Sequence, residues 1–147
     1  MELYKWDKRF IALAEHVAQW SKDPSTKVGA IIVDKNRIVS EGYNGFPTRL
    51  PDKEEWLNDR QIKYQYIIHA EINAILYAKT DLVGCTIYTW PLIPCIRCVP
   101  IIIQSGIHTV VSIKDTPTRP DGSAYTTTVL DESIKILDAA GLEVVLL

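Results

Sequence analysis

Apolar runs of two different periods alternate along this chain, and that alternation constrains its fold more than any other feature. Trp6, Phe10, Leu13, Ala14 and Val17 recur at helical spacing, so the first segment is an amphipathic helix that ends near Ser21-Lys22-Asp23-Pro24. Val28 to Asp34 and Arg37 to Tyr43 are rich in β-branched residues and joined by Lys35-Asn36, which predicts an antiparallel hairpin. Gly42-Tyr43-Asn44-Gly45-Phe46-Pro47 breaks regular structure. The polar stretch Thr48 to Tyr66 reads as a long connection with a short helix around Glu54 to Ile62, able to serve as a lid or a subunit contact.

Helical spacing from His69 to Ala78 is followed by a strand from Cys85 to Trp90 and a second helix from about Cys95 to Gly106. A strand from His108 to Ile113, a helix from Thr126 to Ala140 closed by Gly141, and a strand from Leu142 to Leu147 complete the pattern. Strands alternating with helices after an initial hairpin predict an α/β fold: one domain over residues 1–147, three layers in the order α/β/α, with a mixed five-stranded sheet.

With 147 residues, 16 basic and 18 acidic, the chain suits a single core-bearing domain and offers no broad basic surface for a nucleic-acid backbone. A small-molecule substrate is favoured, and no nucleic-acid partner is expected. Glu2, Lys5, Asp7, Lys8 and Arg9 exclude the apolar core of a signal peptide. No later run approaches the ~20 apolar residues of a membrane helix. The expectation is a soluble protein of the cytoplasm, of a host if the source is viral, with no membrane partner.

Three cysteines, two of them in a Cys-x-x-Cys, make no even disulfide framework, and such a pair in a reducing compartment is metal-binding or redox-active. His69, Cys95 and Cys98 supply the three imidazole and thiolate ligands of a catalytic zinc site, which keeps its fourth position for water. At a helix start both sulfurs point the same way and the helix terminus favours thiolate. Pro91 and Pro94 stiffen the approach. Glu71, two residues after His69, can reach a metal-bound water without becoming a ligand, which makes it the candidate proton shuttle. A closed structural site would need a fourth ligand. Cys85 is the available one, but it lies in an apolar strand run and reads as an inert buried thiol, while His16 and His108 read as surface or packing histidines.

His69-Ala70-Glu71 with Pro94-Cys95-Ile96-Arg97-Cys98 matches the signature of zinc nucleobase deaminases. Ser21-Lys22-Asp23-Pro24-Ser25-Thr26-Lys27-Val28-Gly29-Ala30, then Gly42 to Pro47, then His69-Ala70-Glu71-Ile72-Asn73-Ala74-Ile75 closely resemble the deoxycytidylate (dCMP) deaminases, phage members included. That resemblance implies a cytidine-deaminase-like fold and hydrolysis of dCMP to dUMP and ammonia for thymidylate supply. It further implies a homo-hexamer activated by dCTP and inhibited by dTTP, and a Mg2+ ion could accompany a bound triphosphate. Asn44 should then meet the sugar, the Ala70 amide the base carbonyl, and Gly42, Tyr43, Asn44, Gly45, Phe46 and Pro47 the effector nucleotide. Ser25 and Lys27 are candidates for the 5′-phosphate, with Lys27 equally readable as a strand-edge charge. Tyr125 is the candidate lid over the base.

The chain departs from the resemblance in two places. Thr48 to Ile68 holds neither Cys nor His, where many members bind a second, structural zinc, so one zinc per chain is expected. Pro100 cannot donate a helical hydrogen bond and crowds the carbonyl of Ile96, so the turn holding the cysteines is distorted or the regular helix starts later. Other readings share parts of the pattern: a deaminase of dCTP, cytidine or tRNA adenosine, or a catalytically silent nucleotide-binding module stabilised by zinc. Glu71 argues against the last, because a structural zinc has no use for that carboxylate.

Overall fold

The computed structural model describes residues 4–119, 121–124 and 127–147. Lys35 and Asn36, with φ of 48° and 63°, both adopt the left-handed region, the two-residue geometry that matches strand twist. They close β1 (Gly29–Asp34) onto β2 (Arg37–Tyr43). β1 also pairs antiparallel with β3 (Thr86–Trp90), and β3, β4 (Thr109–Ser112) and β5 (Glu143–Leu146) run parallel. The sheet therefore has five strands in the order β2-β1-β3-β4-β5 and is mixed, as the alternating pattern requires.

Alternation along β1 divides the core. Ile31 and Val33 face α1 (Lys5–Ala18), where Phe10, Ile11, Ala14 and Val17 meet them with Tyr88 and Val111. Ala30 and Ile32 face the other side, where Ile87 and Val110 meet α4 (Ala70–Ala78), α5 (Val99–Gln104) and α6 (Thr127–Ala139) through Ala70, Ala74, Val99, Ile102 and Leu137. Helices on both faces of one sheet give the three layers α/β/α. The Tyr88 hydroxyl donates to Asp7 at 2.7 Å and pins α1 to the sheet.

Two elements correct the reading of the sequence. The connection 48–66 holds two short helices, α2 (Glu54–Leu57) and α3 (Arg60–Tyr66), because Asp59 accepts the backbone N–H groups of Gln61 and Ile62 and so starts a new helix inside the span expected to be one. The helix expected from Cys95 begins at Val99. Cys95 to Cys98 form a turn in which the Cys98 and Val99 amides both donate to the Cys95 carbonyl, at 3.0 and 3.1 Å. Pro100 accounts for this: it occupies the second helical position, where its missing N–H has no intrahelical partner to lose. Thr126, expected to open the last helix, lies outside the described residues.

Gly42 sets how closely α4 approaches the sheet. A Cβ there would stand 2.4 Å from the Ala70 carbonyl oxygen and 2.5 Å from the Ala74 nitrogen, both backbone atoms that cannot step aside. Gly42→Ala should therefore cost about 3 kcal/mol, the upper range for overpacking. The check is a lower denaturant midpoint at unchanged slope; an unchanged midpoint would show that the contact is not close.

Candidate active site

The start of α4 and the 95–98 turn bring three ligand atoms together. His69 is the N-cap of α4, and its Nδ1 lies 3.2 Å from Cys98 Sγ and 3.4 Å from Cys95 Sγ, while the two sulfurs are 3.7 Å apart. All three cysteines are free thiols. Among the described residues this is the cluster able to hold a metal ion, its ligand atoms all within 4.8 Å of one another. Zinc–sulfur bonds of about 2.3 Å and zinc–nitrogen bonds of about 2.0 Å at tetrahedral angles separate sulfurs by about 3.8 Å and nitrogen from sulfur by about 3.5 Å. The donor set and its spacing fit zinc.

Charge in the cluster is shared unevenly. Cys95 is lowered to about 4, chiefly by its hydrogen bond with Cys98 and further by His69, so it favours thiolate. Cys98 is held above its ordinary range by that same hydrogen bond and by burial. His69 is raised through its hydrogen bond to Cys95. Glu71, on the first turn of α4, is only 4% exposed, and burial raises its carboxyl while a hydrogen bond with Cys98 acts the other way. Cys85 is buried just before the start of β3, outside the cluster, and its thiol is pushed up by burial, in keeping with an inert core residue.

His69, Ala70, Glu71 and Cys95 line a cavity of about 590 Å³, within the range of small-molecule sites. Ser25 and Asn44 also stand on its wall. The Asn44 side chain is well bonded: Oδ1 accepts from the Val28 amide at 2.9 Å, and Nδ2 donates to the Thr26 carbonyl at 2.8 Å and to Asp23 at 3.4 Å. Lys27 is not among the lining residues; its ammonium donates to the Ser21 carbonyl. Nor are the neighbours of Asn44. Gly42 lies under α4, Tyr43 meets Trp20 edge-on, Gly45 pairs with Ile68, Phe46 is buried against Trp56 and Tyr66, and Pro47 is exposed. Tyr125 lies outside the described residues.

The cavity also recruits residues that the sequence did not single out: Asp23, Arg60, Lys63 and Arg119. Lys63 and Asp23 form an ion pair at 3.0 Å with both side chains nearly buried. The available signal was Asp59 as an N-cap, which would have placed Arg60 and Lys63 on a helix.

Residues 4–114 match the family model for the cytidine and deoxycytidylate deaminase zinc-binding region. The chain belongs to this family. An uncharacterised deaminase from Aliivibrio fischeri is 53% identical over 106 residues, which cover 72% of this chain and 71% of that one. The deoxycytidylate deaminase of Homo sapiens is 43% identical over 118 residues, 76% of this chain and 66% of that one. In structure, the dCMP deaminase of cyanophage S-TIM5, solved with dCMP and dUMP, superposes with a TM-score of 0.76 at 24% identity, covering 100% of this chain and 99% of that one. That likeness places the deaminase in the same α/β fold. A zinc-binding family and a His/Cys/Cys cluster of fitting geometry agree on Zn2+. Among the described residues, no helix is long and apolar enough to cross a membrane.

Proposed function

We propose that this deaminase converts dCMP and water to dUMP and ammonia, with one zinc held by His69, Cys95 and Cys98. The observation that carries the reading is the buried Glu71 carboxyl beside that three-donor cluster in a nucleotide-sized cavity. Zinc bound there would acidify a water toward neutrality. Glu71 takes one proton of that water and gives it to the pyrimidine ring nitrogen. It then takes the second from the hydroxyl added at the ring carbon, as its C=O forms, and gives it to the departing amine, so both protons of the water are accounted for when ammonia leaves. The Ala70 amide, at a helix start where N–H groups have no intrahelical acceptor, is suited to the base carbonyl.

Asn44 is suited to the sugar, since its 3.4 Å bond to Asp23 is the weak one and can be exchanged for a hydroxyl. Ser25 is suited to the 5′-phosphate; Lys27 joins it by exchanging the Ser21 carbonyl for a phosphate oxygen. Tyr125 is assigned to the lid over the base. The product would feed thymidylate synthesis in the cytoplasm. Activation by dCTP, inhibition by dTTP, a Mg2+ ion with the triphosphate, effector contacts along Gly42 to Pro47 and a hexamer complete the proposal, supported by the resemblance and by the deoxycytidylate deaminases among its relatives.

Ammonia release from dCMP, dCTP, cytidine and a tRNA anticodon loop tests the substrate. The expected preference for dCMP is at least about 100-fold in kcat/KM, as befits a site with polar groups that another ligand would leave unpaired. Equal or better turnover of another substrate would replace this reading. Adding dCTP and dTTP to the same assay tests regulation: unchanged rates would remove it.

A further inference from the structure

Residues 21–28 form one wall of the cavity, and a single buried carboxylate organises them. Asp23, 5% exposed, accepts at Oδ1 the backbone N–H of Ser25 at 2.8 Å and of Thr26 at 3.3 Å, and at Oδ2 the Asn44 amide at 3.4 Å. Its counter-charge comes from 40 positions away: Lys63, 7% exposed on α3, donates to Asp23 Oδ1 at 3.0 Å and to Ser25 Oγ at 3.2 Å. Asn44 then locks the far end of the wall through Val28 and Thr26. Four lining residues, Asp23, Ser25, Thr26 and Asn44, are thus fixed by one ion pair.

A buried pair is a poor way merely to anchor a helix, because desolvation offsets most of the attraction and apolar residues would serve as well. What it supplies is a particular geometry of donors and acceptors. We propose that Lys63 is a positioning residue: by neutralising Asp23 it holds the Ser25-to-Val28 wall and Asn44 in the arrangement that receives the nucleotide. Substrate affinity then depends on a side chain that takes no part in the chemistry. The affinity half of this inference rests on the proposed dCMP reaction, while the ordering of the wall does not.

The test compares Lys63→Gln, Asp23→Asn and Lys63→Arg in the zinc-loaded protein, with the neutral double variant Asp23→Asn/Lys63→Gln in place of any single variant that fails to fold. Lys63→Gln and Asp23→Asn should each raise KM for dCMP about tenfold with kcat held within about threefold, and Lys63→Arg should stay near wild type. Amide hydrogen exchange at Ser25, Thr26 and Val28 should quicken about tenfold without ligand, while β1 and β3 keep their protection. Unchanged exchange along the wall would overturn the proposal, as would a KM defect in Lys63→Gln with Asp23→Asn at wild-type values, which makes Lys63 a direct ligand. A wild-type protein inert toward dCMP would overturn the proposed function instead, and the exchange measurement would still decide the ordering of the wall.

Discussion

Glu71→Gln should lower kcat for dCMP by about 10,000-fold while zinc stays bound and the fold is kept, the upper range for a general acid–base group. The size follows from the double duty assigned to one carboxyl: it must carry one proton from the attacking water to the ring nitrogen and a second from the newly added hydroxyl to the amine. The substitution is near-isosteric, so it leaves no cavity at a position that is 4% exposed on the first turn of α4. Gln can still hydrogen-bond, so KM should move much less than kcat, the mark of an interaction made in the transition state. Stopped assays of ammonia release, a zinc-to-chain ratio and a thermal melt check all three parts. Normal ammonia release from the variant would refute the shuttle role, and loss of zinc would show that Glu71 supports the ligands rather than the proton.

The parts of this molecule that chemistry dictates were readable from residue types. A His-x-Glu at one helix start and a Cys-x-x-Cys ahead of another were expected to converge on one ion, and His69, Cys95 and Cys98 do come together, with sulfurs 3.7 Å apart. Periodicity also worked for α1, whose apolar residues recur at helical spacing, while β1, buried on both faces, and β2 fall where their β-branched runs and the Lys35-Asn36 turn put them. Pro100 carried its own warning, and the helix begins after the cysteines. What escaped was the cavity wall. Lys63 is a charged residue in a polar stretch, and nothing in its neighbours announces that it is buried, because its partner Asp23 is 40 positions away. Lys27 shows the converse: it stands beside Ser25 in sequence, yet its ammonium turns to the Ser21 carbonyl. Pattern reports which face of an element is apolar, whereas pairing between distant polar groups depends on how the loops close.

Cys98→Ala should abolish both zinc binding and dCMP turnover, leaving a folded protein. Removing one of three protein ligands forfeits a thiolate bond, and the remaining His69 and Cys95 cannot hold the ion against dilution. The sheet should survive, because Ile31, Val33, Phe10 and Tyr88 on one face and Ile32, Ile87, Ile102 and Leu137 on the other are packed without the metal's help. Stability should still fall, since the ion joins the start of α4 to the 95–98 turn and binds only when both are folded. At a thousandfold excess over Kd that linkage is worth about 4 kcal/mol, or roughly 10 °C in Tm for a chain of this size. Chelation of the wild-type protein should reproduce the loss of activity and the Tm shift, and added zinc should reverse both at one ion per chain. Cys85→Ala is the control: this thiol is buried and outside the cluster, so zinc content and turnover should match wild type. Retention of zinc and activity by Cys98→Ala, or their loss in Cys85→Ala, would mean that the ion is held by a different set of ligands.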